Sequence, residues 1–192
     1  LKVTERAEYE FRAMDMGNVM HMALEKFAAE VRKEGLDWAE LTEEERNRII
    51  DSCLDQVSAD YGNTILKSSA RNEYMIERTR RILRRTVWAL QEQLKHGAFR
   101  PEGFEVKFEG GRIDRVDIME EPENNRVYVK VIDYKTGNTS FDLLALYHGL
   151  QLQLMVYLDG ALQVEKRKYP DRVIVPAGVF YYNVKDPMIQ EK

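Results

Sequence analysis

Two stretches decide the fold, "GRIDRVDIM" at residues 111–119 and "RVYVKVIDYK" at residues 126–135. Both are rich in β-branched residues that alternate in part with charges, which predicts β-strands. The turn-forming cluster "EEPENN" lies between them, so we expect an antiparallel hairpin. With "FEVKF" (104–108) ahead of them, residues 104–135 predict a three-stranded antiparallel meander.

Helical periodicity surrounds this meander. Apolar residues recur at helical spacing over 8–34, 70–96 and 141–165, and a helix over 42–61 begins with the capping box Thr42 and Glu45. On the helix over 70–96 we expect four residues to face inward and the arginines to face outward. The inward four are Tyr74, Leu83, Val87 and Leu90.

These elements predict a mixed α/β (α+β) fold. The segment "VIVPAGVFYYNV" (173–184) adds one or two strands to the meander. We expect one domain over 1–192, with a mainly helical part over 1–100 and a core of sheet and helix over 101–192. The chain begins at Leu1 rather than Met, so we expect it to be a fragment of a longer chain.

Composition narrows the function classes. The 192 residues are 44% apolar and carry a net charge of −4. The longest apolar runs fall far short of a membrane-spanning helix, so we expect no membrane partner. The only cysteine, Cys53, excludes an internal disulfide and fits a reducing cytoplasm, where we expect the protein to work. We expect Cys53 to be a small buried apolar residue.

Positive charge is concentrated in one segment. Residues 71–100 hold eight basic and three acidic side chains, a local charge of +5. Such a helix could guide a phosphate backbone along Arg78–Arg85, although a solvated helix face explains the pattern equally well.

Three charged side chains interrupt the apolar strands. Asp133 and Lys135 share a face with Val131, and Asp114 shares a face with the apolar residues of its own strand. A hairpin that turns within residues 120–125 brings Asp114 near Val131, within reach of Asp133. Two carboxylates and an ammonium group therefore converge at one end of a covered sheet.

This arrangement favours a metal site. Two close carboxylates repel each other unless a cation lies between them, and hard oxygen ligands suit Mg²⁺ or Mn²⁺. The constellation is typical of metal-assisted phosphodiester hydrolysis, in which Lys135 stabilises an oxyanion or orients a water. The alternative is a surface salt bridge between Asp133 and Lys135 at a fraying strand end.

A histidine on the first helix is a further candidate. His21 lies on a predominantly apolar helix, where it is either a hydrogen-bonded core residue or a third metal ligand. Glu25 follows on the same helical face, and we interpret it as a surface charge.

Five motifs in order resemble the PD-(D/E)xK nucleases of the RecB type. They are "GNVMH", "FEVKF", "GRIDRVD", "VIDYKTG" and "LQLMVY". The longer stretches "YEFRAMDMGNVMHMALEKF" and "DYKTGNTSFDLLALYHGLQLQLMVYLDGA" look most like the C-terminal nuclease domain of the AddB subunit of bacterial AddAB helicase–nucleases. The resemblance covers essentially the whole chain and implies a restriction-endonuclease-like core.

The resemblance also implies roles for individual residues. It implies that His21, Asp114 and Asp133 are metal ligands, that the carbonyl of Tyr134 completes this set, and that Lys135 is the catalytic lysine. Gln153 and Tyr157 match a late Q-x-x-x-Y element that supports the site and contacts DNA. Gln151 is a rival for the glutamine but has no tyrosine four residues later. Glu105 matches an acidic position on the preceding strand, where an exposed glutamate is the ordinary alternative.

One departure concerns a second cofactor. The resemblance implies an iron–sulfur cluster in the full-length protein, held by four cysteines that clasp the nuclease domain. None of them lies in this sequence, which we expect to be trimmed between the first cysteine and the remaining three. Stability and DNA binding would be affected by this loss.

The implied activity is a Mg²⁺-dependent exonuclease that cuts single-stranded DNA fed by a helicase during double-strand break repair by recombination. Its implied partners are a single-stranded DNA end and the AddA subunit of the helicase–nuclease. Two alternatives are a stand-alone RecB-type exonuclease and a catalytically silent DNA-binding module. The missing cysteines argue against the first, and the intact Asp114, Asp133 and Lys135 argue against the second.

Overall fold

The computed structural model describes residues 13–61, 70–135 and 152–184. The chain divides into two compact units, Leu1–Gln93 and Leu94–Lys192. The expectation that both units form one domain stays a prediction.

The first unit is helical. Its described helices are α1 (Ala13–Lys33), α2 (Glu43–Tyr61) and α3 (Ala70–Lys95), with a short 3₁₀ turn over Trp38–Glu40. α1 packs against α2 through fully buried apolar side chains. These include Val19, Ala23, Leu24, Phe27 and Val31 of α1 and Ile49, Ile50, Cys53, Leu54 and Val57 of α2.

The predicted capping box at the start of α2 is confirmed. The Glu45 backbone N–H donates to Thr42 Oγ1 at 3.2 Å, and the Thr42 N–H donates to Glu45 Oε2 at 2.9 Å. These two bonds satisfy backbone donors that the first turn of a helix otherwise leaves open.

A buried glutamine fastens α3 to the loop before α2. Gln91 Nε2 donates to the Leu41 carbonyl at 2.6 Å, and Gln91 Oε1 accepts a 2.6 Å hydrogen bond from Arg46. These bonds satisfy the buried amide, which would otherwise be costly to remove from water.

The residues expected to face inward on α3 do so except at one position. Leu83, Val87 and Leu90 are fully buried, as predicted. The prediction that Tyr74 faces inward is wrong, because its side chain is 58% exposed. Tyr74 and Leu83 are nine residues apart, which at 3.6 residues per turn places them on opposite sides of the helix.

The second unit is a sheet with one described helix. Its elements are β1 (Arg100–Phe108), β2 (Gly111–Glu121), β3 (Arg126–Lys135), α4 (Gln153–Lys168) and β4 (Val173–Asn183). The described strands have the order β1-β2-β3-β4. The first three are antiparallel, which confirms the predicted meander, and β4 runs parallel to β3.

α4 covers one face of this sheet, hereafter the core face. Seven fully buried side chains form its centre: Ile113, Val116, Ile118, Val127, Val129, Val131 and Ala161. The predicted helix over 141–165 is described from Gln153 onward, and residues 141–151 lie outside the described part of the chain.

The two outer strands of the described sheet are irregular. β1 carries an extra residue, Glu102, between the pairs Pro101–Asp117 and Gly103–Val116. β4 carries an extra residue, Ala177, between the pairs Val129–Pro176 and Lys130–Gly178. Each is a β-bulge, which bends its strand and increases its twist.

Two glycines make room for the Phe108 side chain under α4. A Cβ on Gly160 would lie 2.7 Å from Phe108 Cγ, and one on Gly110 would lie 2.5 Å from Phe108 Cε2. The ring also packs edge-on against Tyr157, with 5.9 Å between centroids. Glycine at these positions therefore lets α4 approach the sheet closely.

No helix in the described ranges combines the length and apolar character that crossing a membrane requires.

Gly160→Ala should destabilise the protein by about 1–3 kcal/mol, although alanine is the better helix former. The reason is that the new methyl group displaces the whole Phe108 ring. Urea unfolding followed by circular dichroism measures the change. The control is Gln163→Ala at an exposed position of the same helix, with an expected effect within about 0.5 kcal/mol. Equal stability of both variants would contradict the proposed packing.

Cys53 should be inert to thiol reagents in the folded protein. Burial raises the pKa of its thiol to about 11, so almost no reactive thiolate exists at pH 8. Labelling by a chromogenic disulfide reagent should be slow in buffer and complete within seconds in denaturant. Fast labelling of the folded protein would show that the interface between α1 and α2 opens readily.

Candidate active site

The pairing of β2 with β3 brings the predicted acidic residues together. The ladder pairs Arg115 with Ile132 and Val116 with Val131, so the preceding residue, Asp114, lies beside Asp133. The expectation that Asp114 lies near Val131 is wrong by two residues. The reason is the position of the turn. The pair that closes the hairpin is Glu121 with Arg126, and this register places Asp114 opposite Asp133.

A side-chain hydrogen bond connects the ends of these strands. The backbone N–H of Tyr134 donates to Asp114 Oδ2 at 2.7 Å. Tyr134 lies between Asp133 and Lys135, so this bond fixes the Asp114 carboxylate next to both side chains. A hydrogen bond to a carboxylate is stronger than one between neutral groups.

Asp133 and Lys135 form an ion pair in which the aspartate is buried. Lys135 Nζ lies 2.6 Å from Asp133 Oδ2, and the two side chains are 23% and 5% exposed. Burial disfavours the charged lysine, yet its hydrogen bond to Asp133 raises the pKa of Lys135 above its usual value. The pair is therefore not the solvated surface salt bridge that the sequence allowed as an alternative.

Glu105 lies opposite Asp114 in an unusual backbone conformation. The neighbouring pairs Phe104–Arg115 and Val106–Ile113 flank these two residues, and Glu105 has a φ of 49°. A left-handed glutamate costs about 1–3 kcal/mol and persists only where its surroundings enforce it. Its side chain is nearly buried and forms an ion pair with Arg112.

Beside this residue pair, the side chains of β2 stop alternating between the two faces of the sheet. Ile113 and Val116 both belong to the buried cluster on the core face, although strict alternation would put them on opposite faces. The break coincides with Asp114, opposite the left-handed Glu105. Carboxylate oxygens of these two residues lie within 4.8 Å of each other.

The opposite face, hereafter the reverse face, holds an ion cluster that the sequence analysis missed. Arg115 donates to Asp117 through Nε at 2.5 Å and Nη2 at 2.9 Å, and both side chains are fully buried. Lys130 Nζ lies 3.0 Å from the same carboxylate. The sequence holds one signal for this cluster: Arg115 and Asp117 carry opposite charges on either side of the apolar Val116.

Arg115 of the reverse-face cluster lies near the side chain of Tyr134, whose backbone N–H binds Asp114. Burial raises the pKa of the Tyr134 hydroxyl to about 12, and the nearby Arg115 guanidinium opposes this rise. The Arg115 guanidinium also lies over the Phe104 ring, 5.6 Å from its centroid. Arg115 therefore packs beside the side chain of the residue whose backbone binds Asp114.

The remaining predicted residues lie on helices. His21 is half-buried on α1, and Glu25 is exposed on the same helix, as predicted. Gln153 Nε2 donates to the Tyr157 hydroxyl at 2.7 Å, so the proposed pair on α4 is in direct contact. Gln151 lies outside the described residues.

Comparison with known proteins gives the geometry its context. The whole chain, residues 1–192, matches the PD-(D/E)XK nuclease superfamily. The chain belongs to the PD-(D/E)XK nuclease superfamily. Members of this superfamily use divalent metals. The predicted mixed fold with a restriction-endonuclease-like core is thereby confirmed.

Relatives of this PD-(D/E)XK nuclease include much longer proteins. The chain is 45% identical over 98% of its length to the B subunit of the ATP-dependent helicase/deoxyribonuclease of Lachnoclostridium phytofermentans. It is 37% identical over 99% of its length to the protein of the same name from Alkaliphilus metalliredigens. It spans 17% and 18% of these two relatives. The resemblance to AddB proteins is confirmed.

The donor atoms in the sheet unit fit one implied cofactor and not the other. Asp114, Asp133 and Glu105 offer carboxylate oxygens, the ligands that Mg²⁺ and Mn²⁺ prefer. An iron–sulfur cluster needs several thiolates. Cys53 is the only cysteine, and it is buried in the helical unit. We therefore assign the cluster no role in this chain.

Arg115→Met should destabilise the protein by about 3–5 kcal/mol, because it removes the bidentate partner of the fully buried Asp117. The control is Arg100→Met, which breaks an ion pair with Glu120 at a 54% exposed side chain. Its expected cost is about 0–1 kcal/mol. Urea unfolding measures both. Similar values for the two variants would mean that the reverse-face cluster is not a structural requirement.

Proposed function

We propose that this chain is a Mg²⁺-dependent deoxyribonuclease domain that cuts DNA from a single-stranded end, with Mn²⁺ as an effective substitute. The supporting observation is the pairing of Asp114 with the buried Asp133–Lys135 pair in a member of a nuclease superfamily. Two carboxylates can hold the ion of a metal-assisted phosphodiester hydrolysis, and a nearby ammonium group can stabilise the charge that develops on the phosphate.

The proposed metal ligands are Asp114, Asp133 and the carbonyl of Tyr134. The sequence resemblance adds His21 as a further proposed ligand. Glu105, whose carboxylate lies within 4.8 Å of that of Asp114, is a proposed supporting residue. When bound, the ion would polarise the scissile phosphate and lower the pKa of a coordinated water. The Tyr134 N–H holds the Asp114 carboxylate in place before any ion arrives.

Lys135 is the proposed catalytic lysine. Its pairing with Asp133 keeps the ammonium group charged and holds it at the strand end. An ammonium group held in this way stabilises the negative charge that develops on the phosphate during cleavage. Its orientation is set before the substrate binds, so little reorganisation is needed during the reaction.

Gln153 and Tyr157 are proposed supporting residues. Their mutual hydrogen bond fixes the tyrosine hydroxyl, and the Tyr157 ring packs edge-on against Phe108 of β1. We propose that the pair stabilises the site and contacts DNA from the first turns of α4.

The proposed setting is a helicase–nuclease that processes double-strand breaks for recombination. Relatives that match over almost the whole chain are named as B subunits of an ATP-dependent helicase/deoxyribonuclease. In that setting the partners would be a single-stranded DNA end and AddA, and the enzyme would work in the cytoplasm.

Cleavage of end-labelled single-stranded DNA should require Mg²⁺ or Mn²⁺ and should stop in EDTA. Asp114→Asn keeps an oxygen that can accept from Tyr134 but removes the negative charge, and Lys135→Met keeps chain length but removes the ammonium. Each should lower the cleavage rate at least about 100-fold. Denaturing gels measure this rate.

Lys130→Met is the matched control for Lys135→Met. Both lysines lie on β3, are 22% and 23% exposed, and pair with a buried aspartate. The two substitutions should cost similar stability, while only Lys135→Met should abolish cutting. Cutting that survives both Asp114→Asn and Lys135→Met would overturn the assigned site. Binding without any metal-dependent cutting by the parent protein would indicate a silent DNA-binding module.

A further inference from the structure

α3 carries a stripe of aromatic and basic side chains on its outer side. Tyr74, Arg78, Arg81, Arg85 and Trp88 follow one another at spacings of four, three, four and three residues, so they lie along one line of the helix. Tyr74 and Trp88 are 58% and 48% exposed. We call these five residues the α3 stripe.

Two other arginines of α3 differ from this stripe because they pair with carboxylates of α2. Arg80 Nη2 lies 2.7 Å from Asp55 Oδ1, and Arg84 forms an ion pair with Asp51, so α2 neutralises both. Two arginines of the basic segment Arg78–Arg85 are therefore bound within the protein, and they are not available to a phosphate backbone.

Two arginines of the stripe differ from these neighbours. Arg81 and Arg85 are exposed, and neither pairs with a carboxylate among residues 13–61, 70–135 and 152–184. They are four residues apart, and like charges at this spacing destabilise a helix. A polyanion bound along the stripe would relieve this repulsion.

The aromatic residues select the kind of polyanion. Tyr74 and Trp88 present broad apolar rings at the two ends of the basic segment. Rings of this kind stack on nucleic-acid bases, and only a single strand leaves its bases free to stack on a protein. A duplex would use the arginines and leave both rings exposed.

The length of the stripe fits a short single strand. Fourteen residues separate Tyr74 from Trp88, which is about 21 Å along the helix axis. At about 3.4 Å per stacked nucleotide this length spans roughly six nucleotides. One base can then stack at each end while the phosphates between them pass Arg81 and Arg85.

Arginine, tyrosine and tryptophan are also common at protein–protein interfaces. However, the α3 stripe contains no aliphatic residue, whereas interface cores are largely apolar. The positive charges of Arg81 and Arg85, four residues apart, also favour a partner with regularly spaced negative charges. Single-stranded DNA satisfies both observations better than a protein surface does.

We propose that the α3 stripe is a binding track for single-stranded DNA, with Tyr74 and Trp88 as stacking platforms and Arg81 and Arg85 as phosphate contacts. This proposal rests on the proposed function, because it names a surface that holds the substrate of the same nuclease. It assigns the stripe to substrate binding and not to the chemical step.

Binding is measured first, without cleavage. Fluorescence anisotropy of a labelled oligothymidylate in EDTA gives the dissociation constant of the protein. Trp88→Leu should weaken binding at least 5-fold, and Trp88→Phe, which keeps an aromatic ring, should stay closer to the parent. DNA should also quench part of the tryptophan fluorescence, and this quenching should disappear in both variants.

The salt dependence tests the two arginines. The double variant Arg81→Gln/Arg85→Gln should bind more weakly and lower the slope of log K against log salt concentration by about 1.4, the value for two lost contacts to a single strand. The charge-matched control is Arg126→Gln/Arg167→Gln, two exposed positions of the second unit. It should leave the slope within error of the parent.

The outcomes separate this proposal from the proposed function. In cleavage assays the stripe variants should raise KM and leave kcat within about twofold of the parent. Stripe variants that bind DNA like the parent would overturn the track, whether or not the protein cuts, and would favour a protein partner. A parent that binds through the stripe but never cuts would refute the nuclease proposal alone.

Discussion

Burying a charged group in a β-sheet is costly unless the group has a partner, and this constraint shapes β2 and β3. The reverse face satisfies it with a bidentate pair between Arg115 and Asp117, supported by Lys130. The site end satisfies it with the Asp133–Lys135 pair and with the Tyr134 N–H on Asp114. Each charged side chain is therefore fixed in position by the group that makes its burial tolerable.

The two charged groups have different consequences. On the reverse face, two cations share one carboxylate, so the negative charge is more than compensated and the cluster serves structure. At the site end, Asp133 pairs with Lys135, and Asp114 lies beside Asp133. Glu105, which pairs with Arg112, lies close to Asp114. Neighbouring carboxylates offer the hard oxygen ligands that a divalent ion prefers, and this is the basis of the proposed metal site.

Local sequence rules predicted much of this arrangement. β-branched alternation gave the meander, and the Thr42–Glu45 capping box gave the start of α2. The register of the hairpin was harder to predict, because it depends on which residues form the turn. With the turn between Glu121 and Arg126, the partner of Asp114 is Asp133 and not Val131. The exposed position of Tyr74 followed from helical phase, which the preference of tyrosine for protein interiors obscured.

Long-range contacts were beyond prediction from sequence alone. A charged pair such as Arg115 and Asp117 resembles a solvated strand face until the burial of that face is known. The left-handed backbone of Glu105 also has no local sequence signal, because glutamate rarely adopts positive φ. Both features arise from the packing of several strands together, which no short motif encodes.

The bulges at Glu102 and Ala177 have a consequence for the behaviour of the protein in concentrated solution. Exposed outer strands with regular backbones are templates for pairing with another molecule, and natural sheets avoid this by irregular edges. In the described sheet both outer strands carry a bulge and a proline, Pro101 in β1 and Pro176 in β4. Two copies would have to straighten these edges before their strands could pair, so the irregular strands disfavour aggregation.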